Sequence, residues 1–295
     1  MPCKPAKTFE EQIDILSVEH GLVIEDRWQA IETLRNLNYY HLRGYYIHWM
    51  DRLQQTFLPN ISFNMICSIH EFDEKLRLLI WPLIQRVELR IRTHLAYYLA
   101  HQYGPLSYLD ESIYFDSLQA RKSISQIQEK IDNSSETFVQ HHRKKYSGEL
   151  PVWAAVELLS FGNLSKIFKN LTIRDKNCIA KEYYGLDGEL VDSYLHSLLC
   201  VRNICAHCGR LYNKRLPVPV MISNKNNACI SRLIPPTFKV YHNNFYAILF
   251  AIHDLTPEHT FRSFLTELDN LIQQYKDVVE PYRLGLPYNW MDALK

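Results

Sequence analysis

One long helical pattern, at about 66–103, constrains the fold of this chain more than any other feature. Pro82 lies within it and predicts a kink or a restart of the helix. Elsewhere no alternating strand pattern extends beyond a few residues, and the 295 residues include only 9 glycines. The sequence predicts an all-α protein, with an N-terminal helical extension at 1–60 and a helical core at 61–295. Apolar residues recur at steps of three and four, the spacing of one buried helix face: Phe72, Leu76, Leu79, Leu83, Val87, Ile91 and Leu95.

The composition is that of a globular protein in a reducing compartment. Hydrophobic residues make up 47% of the chain and charged residues 22%, which excludes a disordered class. The 7 cysteines are scattered and odd in number, which favours free thiols. The first residues contain no apolar signal segment, and no run approaches ~18 apolar residues. We therefore expect a cytoplasmic protein without a membrane partner.

Charge is distributed unevenly along the sequence. The chain has 33 basic and 32 acidic residues, yet the stretch from Ser193 to His253 contains no Asp or Glu. The same stretch holds seven of the Lys and Arg residues and four His, which leaves 26 basic against 32 acidic residues elsewhere. Positive charge without neighbouring carboxylates attracts phosphates, so this stretch is the candidate for a phosphate-bearing ligand.

The acid-free stretch contains the hexapeptide Arg202-Asn-Ile-Cys-Ala-His207. On a helix predicted at about 190–208, Asn203, His207 and Arg210 would share one face, and His196 would continue it backwards. An unperturbed His has a pKa near ~6.5 and exchanges protons at cellular pH, so the pattern points to phosphodiester chemistry.

Two plainer interpretations of this segment stay open. It can be a solvated helix face, although such faces ordinarily mix both signs of charge. Cys200, Cys205, Cys208 and His207 can also suggest zinc, but no second ligand pair stands at the usual spacing. We expect no metal and no cofactor. The basic run at 141–145 is either a solvated turn or an RNA contact.

The ordered series of motifs resembles the Abi-like family of bacterial abortive-infection proteins, of the AbiD/AbiF type. The Arg-x4-His spacing at Arg202 and His207 is similar to the motif of HEPN domains. Cys208 departs from the relatives, which often carry His or another polar residue there. The resemblance covers most of the chain and includes Leu37-Asn-Tyr-Tyr40, Gly44-Tyr45, Phe72-Asp73-x-x-Leu76-Arg77, Glu88-Leu-Arg-Ile-Arg92, Pro151-Val-Trp153, Phe161-Gly162, Arg202 to Asn213, Gly285-Leu-Pro287 and Trp290.

This resemblance implies a HEPN-type helical bundle and a ribonuclease with a phage-defence or toxin role. It further implies a homodimer in which two Arg-x4-His motifs meet in one cleft, and control by a small non-coding RNA. RNA supplies its own nucleophile, the 2′-OH, so cleavage requires an acid or base and a cation at the phosphate but no metal.

The sequence thus predicts a metal-independent endoribonuclease whose substrate is RNA. His207 is assigned as acid or base, Arg202 to the phosphate, and Asn203 to orienting either group. The alternatives are a non-catalytic RNA-binding regulatory module and a nucleotide-transferring or protein-modifying enzyme, which would need carboxylates for Mg²⁺. The residues predicted to bind RNA are Arg210, Tyr212, Lys214, Arg215, Glu88 and Arg92. For Arg210, two roles stay open: a phosphate clamp, or a structural brace just past Gly209.

Overall fold

The computed structural model describes residues 5–51 and 53–294 of the chain. This part folds into thirteen α-helices and contains three isolated bridges but no β-strand, so the all-α prediction is confirmed. In chain order the helices are α1 (Phe9–Asp14), α2 (Arg27–Asn36), α3 (Tyr39–Tyr46), α4 (Phe63–Tyr103), α5 (Ser117–Asp132), α6 (Thr137–Lys145), α7 (Val152–Ala155), α8 (Phe161–Asn170), α9 (Ile173–Tyr184), α10 (Gly188–Ala206), α11 (Asn224–Leu233), α12 (Phe245–Leu255) and α13 (Glu258–Gln274).

Helix α4 is longer than the sequence pattern predicts. It begins three residues earlier, where the Ser62 hydroxyl accepts a hydrogen bond from the Met65 amide at 3.3 Å, and it ends at Gly104 with φ 91°. The predicted restart at Pro82 was wrong, because the helix runs through this residue. Pro82 is exposed, so the carbonyl that loses its N–H partner lies on the solvent side of the helix.

The core forms around α4 and α12. The buried face of α4 includes Phe72, Ile80 and Ile91, and α12 is almost fully buried along its length. Helices α3, α7, α8, α9, α10, α12 and α13 all contact α4. Helix α10, which carries the Arg-x4-His motif, packs against α4, α8, α9 and α12. The motif is therefore attached to the packed core of the molecule.

The segment at 216–236 has a composition typical of a long loop, yet it contains α11. The Ser223 hydroxyl caps this helix by accepting the Asn226 amide at 3.1 Å. The Asn226 side chain in turn donates to the Asp254 carboxylate at 2.9 Å. Four prolines and three asparagines concealed this helix in the sequence, since both residue types are typical of turns.

The basic run at 141–145 lies in the last turns of α6 and not in a turn between helices. There the Arg143 guanidinium donates to the carbonyls of Ile131 and Asp132 at 2.6 and 2.7 Å. These are carbonyls of the last turn of α5, which lack helical partners. Arg143 therefore stabilises a helix end. Across the described chain, no helix combines the length and apolarity needed to cross a bilayer.

Candidate functional site

Helix α10 ends in a Schellman motif that positions His207. Helical residues continue to Ala206, and His207 is the C-cap, with φ −109° and ψ 23°. Cys208 then adopts a left-handed conformation with φ 52°, and the Gly209 amide donates to the Ile204 carbonyl at 2.7 Å. The helix thus stops two residues before the predicted end at Cys208. Arg210 consequently does not continue the helical face of Asn203 and His207.

The segment that follows His207 is bonded to the buried carboxylate of Asp73 on α4. Asp73 is fully buried and accepts the backbone amides of Leu211 and Tyr212, at 3.1 and 2.6 Å. It also accepts the Tyr45 hydroxyl at 2.8 Å and pairs with the Arg77 guanidinium at 2.5 Å. A buried carboxylate with this many donors is well compensated for its lost hydration. The acid-free stretch of sequence therefore meets an acid from elsewhere in the chain.

Arg77 extends this buried network to the end of the motif. Its guanidinium donates to the Gly209 carbonyl at 3.2 Å as well as to Asp73. Gly209 follows the Schellman turn directly, so the bond fixes the backbone immediately after His207. The network couples α4 to the C-terminal end of α10.

Arg210 and Tyr212 were both predicted to bind RNA; in the structure Arg210 is half-buried and Tyr212 is fully buried. The Arg210 guanidinium donates to the carbonyls of Tyr212 and Asn213, both at 2.6 Å, and burial lowers the pKa of Arg210. A Cβ on Gly44 would lie 2.8 Å from Arg210 Nε, so the side chain passes directly over this glycine. Tyr212 is fully buried, and its hydroxyl accepts the Glu280 amide at 3.1 Å. These two residues brace the loop.

Arg202 has no carboxylate partner anywhere in the described chain. Its guanidinium carbon lies 5.6 Å from the centre of the Trp81 ring, and Nη1 is 3.5 Å from the Asn203 side-chain oxygen. Its Nε is buried and lacks a hydrogen-bond partner. The aromatic contact holds the stem in place while leaving the positive charge uncompensated. Such a guanidinium is available to an anion.

His207 and Asn203 are both exposed at the end of α10. The His207 ring forms no hydrogen bond with another described residue, so both of its nitrogens are open to a ligand. A groove of about 220 Å³ lies between α4 and the end of α10. It is lined by Glu74, Arg77, Leu78, Trp81, Cys205, Ala206 and Cys208. Trp81 also contacts Arg202, whereas Arg202, Asn203 and His207 are not among the residues that line the groove.

Glu88 and Arg92, also predicted to bind RNA, form a separate brace further along α4. Arg92 pairs with Glu88 at 3.2 Å and with Glu157 at 3.0 Å, and it donates to the Leu159 carbonyl at 3.0 Å. Glu88 stands seven residues beyond Trp81, which is about 10 Å of helix. The pair therefore ties α4 to the segment after α7 and is not part of the groove.

The cysteines near His207 do not assemble a metal site. Within residues 5–51 and 53–294, no three His, Cys, Asp or Glu side chains come together in a way that could hold an ion. Burial raises the pKa of Cys205 to about 12, which disfavours the thiolate that zinc would need. Six cysteines in the described residues are free, and Cys3 lies outside those residues.

Lys214 and Arg215 reach a different cavity from the groove beside Arg202. Arg215 is exposed, its guanidinium carbon lies 3.7 Å from the centre of the Tyr241 ring, and Nη1 donates to the Asn243 side-chain oxygen at 3.1 Å. Lys214 is partly exposed. Of the predicted RNA contacts, these two are the cations that the described chain leaves without a carboxylate partner and without the pair of backbone carbonyls that engages Arg210.

Sequence reasoning gave no role to Asp73, Arg77, Gly44 or Trp81. The first three lie in motifs that carry the family resemblance, and that was the available signal for them. Trp81 has no sequence signal, because its contact with Arg202 depends on the packing of α4 against α10.

Comparison with known proteins gives one match. A family model described as Abi-like protein matches residues 32–213, which is more than half of the chain. The matched segment contains Gly44, Asp73, Arg77 and the entire Arg-x4-His motif. Searches of curated proteins and of solved structures find no match.

Proposed function

Because this chain belongs to the Abi-like protein family, we propose that it is a metal-independent endoribonuclease of the phage-defence or toxin type. The family suggests a role in abortive infection. One observation carries the enzymatic proposal: Arg202 and His207 both lie near the C-terminal end of α10, and neither pairs with a carboxylate of the described chain. A cation for the phosphate and a group that can act as acid or base are what RNA cleavage requires.

The proposed reaction uses the 2′-OH of the RNA as nucleophile. The 2′ oxygen attacks the adjacent phosphorus and the bond from phosphorus to the 5′ oxygen breaks, which gives a 2′,3′-cyclic phosphate and a 5′-OH. His207 accepts the proton of the 2′-OH or donates one to the leaving 5′ oxygen. Arg202 binds the non-bridging oxygens and stabilises their charge, and Asn203 orients either group.

One Arg and one His make a sparse site, so we propose that two copies of the chain act together. A symmetric homodimer would join two motifs in one cleft and supply both an acid and a base. Leu78 and Leu89 on α4 are 67% and 60% exposed. They are eleven residues, or about three helical turns, apart and so lie on one face of α4. These two exposed leucines support the dimer. Light scattering of the purified protein gives its oligomeric state, and a monomer that still cleaves RNA would contradict the dimer.

The cleavage proposal is tested with purified protein and total cellular RNA in the presence of EDTA. We expect new RNA ends with a 5′-OH and a 2′,3′-cyclic phosphate, formed at the same rate with and without the chelator. Arg202→Ala and His207→Ala should each abolish these products. Activity that returns only when Mg²⁺ is added would contradict the mechanism.

The same preparation tests two further hypotheses: control by a small non-coding RNA, and the non-catalytic alternative. If an RNA holds the enzyme in check, a discrete RNA should copurify with the protein and its removal should increase cleavage. A purely regulatory RNA-binding module would bind RNA and yield no new ends, even after the copurifying RNA is removed.

A further inference from the structure

A second cavity, which we call the basic pocket, includes residues 213–215, which follow the motif in the chain. It has a volume of about 390 Å³, within the range of about 300–1,000 Å³ found for small-ligand sites. It shares no lining residue with the groove beside Arg202. Three separate segments line it: Asn213, Lys214 and Arg215; Thr237, Phe238, Lys239, Tyr241 and Asn244; and Tyr282, Arg283 and Gly285.

The basic pocket carries strong positive charge. Four of its described lining residues are cations, and none is acidic. Arg283 pairs with Glu280, whereas Lys214, Arg215 and Lys239 form no ion pair with a described carboxylate. Three uncompensated cations around one concavity favour a ligand with phosphate or another dense negative charge.

Aromatic rings accompany these cations. Arg215 lies 3.7 Å and Lys239 5.0 Å from the centre of the Tyr241 ring. Tyr282, on the opposite segment, is 55% exposed, and its hydroxyl donates to Glu280 at 2.9 Å, which fixes the ring. An exposed, oriented ring beside cations is the arrangement on which nucleobases stack in single-strand binding proteins.

The N-terminal end of α12, where Asn244 lines the basic pocket, adds to the positive charge there. Asn244 lines the pocket and caps α12, where its side-chain oxygen accepts the Ala247 amide at 3.0 Å. The N-terminal end of an eleven-residue helix carries partial positive charge. A purely apolar ligand would leave this end and three cations unsatisfied.

From this arrangement we infer that the basic pocket binds one nucleotide unit, with its base stacked on Tyr282 and its phosphate held by Lys214 and Lys239. The same chemistry occurs in a free mononucleotide and in a nucleotide of a single-stranded RNA. The choice of RNA as the natural source rests on the proposed function. In that setting the pocket anchors the strand at a point separate from the cleavage groove.

The test measures binding to the His207→Ala variant, so that cleavage does not interfere. The probe is a fluorescein-labelled single-stranded decauridylate, followed by anisotropy across a salt series with EDTA present. Lys214→Ala and Lys239→Ala should each make the plot of log affinity against log salt concentration less steep, by about 0.7 in slope. Tyr282→Leu should weaken binding by about 5- to 150-fold, the loss expected for one base–aromatic stack.

Matched controls and competitors make the experiment specific to the basic pocket. Lys130→Ala on α5 and Tyr288→Leu remove an exposed cation and an exposed ring that do not line the pocket. Both should bind the probe like the parent protein, and all variants should retain the parent's urea midpoint. Unlabelled UMP should displace the probe, while orthophosphate at the same concentration should not.

Two results would overturn the inference. Equal losses of affinity in the Lys130→Ala and Tyr288→Leu controls would mean that the probe binds to the protein surface in general and not to the basic pocket. Orthophosphate that competes as well as UMP would mean an anion site without base recognition. Failure of the proposed function is distinguishable, because wild-type protein that binds through Tyr282 but never cleaves RNA would contradict only the enzymatic proposal.

Discussion

The two halves of the motif segment, the exposed half at 202–207 and the braced half at 209–213, differ in what their polar groups contact. In the first half the side chains of Arg202, Asn203 and His207 have no carboxylate partner in the described chain, and Asn203 and His207 are exposed. In the second half the amides of Leu211 and Tyr212 donate to the buried Asp73 carboxylate, and the Arg210 side chain donates to two backbone carbonyls of the same loop. Residues only a few positions apart in one basic stretch therefore differ in whether the fold already engages their polar groups.

The braced half explains how the exposed half can be positioned. Asp73 and Arg77 bond to the backbone on the far side of the Schellman turn, so the end of α10 is held against α4. A catalytic group requires such fixed support, since small displacements cost rate. The comparison predicts large effects on stability in the braced half and small effects in the exposed half.

The largest expected effect is from Asp73→Asn. The substitution keeps the shape but leaves the buried Arg77 guanidinium without its counter-charge, so we expect a loss of about 3–5 kcal/mol in the free energy of unfolding. Urea denaturation measures it. Glu71→Gln is a matched control on the same helix, because Glu71 pairs with Lys75 four residues later but is 56% exposed. The control should cost less than about 1 kcal/mol, and equal losses in the two variants would contradict the role given to Asp73.

A smaller loss is expected from Arg210→Ala. Its two bonds to backbone carbonyls disappear, which should reduce the free energy of unfolding by about 1–3 kcal/mol. The salt dependence of RNA binding should stay unchanged, unlike that of Lys214→Ala. Gly44→Ala sharpens the comparison: the new Cβ should destabilise the wild type through its clash with Arg210 and cost much less in the Arg210→Ala background. A normal stability with a reduced salt slope would instead make Arg210 a phosphate clamp.

The last effect, which is confined to acidic pH, concerns His48, whose ring centre lies 6.1 Å from that of Tyr212. Both ring nitrogens are buried without partners, and burial, together with the positive charge of Arg283, lowers the pKa of His48 to about 4. The unfolded chain binds this proton below about pH 6.5, whereas the folded chain does not until about pH 4. Stability should therefore fall as the pH decreases through this window. His48→Leu should reduce that dependence in urea midpoints measured at several pH values, and an identical dependence in both proteins would contradict this account.

The fold was predictable to the extent that local patterns determined it. The buried stripe of α4 identified that helix well, since helical spacing is a local signal. The end of α10 was misplaced because a left-handed Cys208 has no distinctive sequence signal. Helix α11 was not predictable, because its asparagines and the prolines on either side of it are typical of turns.

The candidate site was predictable only in part. A sequence shows which charges are neighbours along the chain, but the groups that compensate them can come from distant segments. The sequence stretch without acids suggested positive charge without nearby carboxylates. In the structure Arg210 is half-buried beside Gly44, and the Asp73 carboxylate accepts the amides of Leu211 and Tyr212 in the same loop. The basic pocket could not be foreseen, since Lys214, Lys239 and Tyr282 come from three distant segments.

The most direct test of the division between the two halves compares cleavage, RNA binding and urea unfolding in His207→Ala. The account predicts that the cleavage rate falls on the order of 10²- to 10⁴-fold, as expected for loss of a positioned acid or base. The free energy of unfolding should stay within about 0.5 kcal/mol of the wild type, because the ring is exposed and unbonded, and RNA affinity should be retained. Loss of folding or of RNA binding together with cleavage would contradict it and make His207 a structural residue.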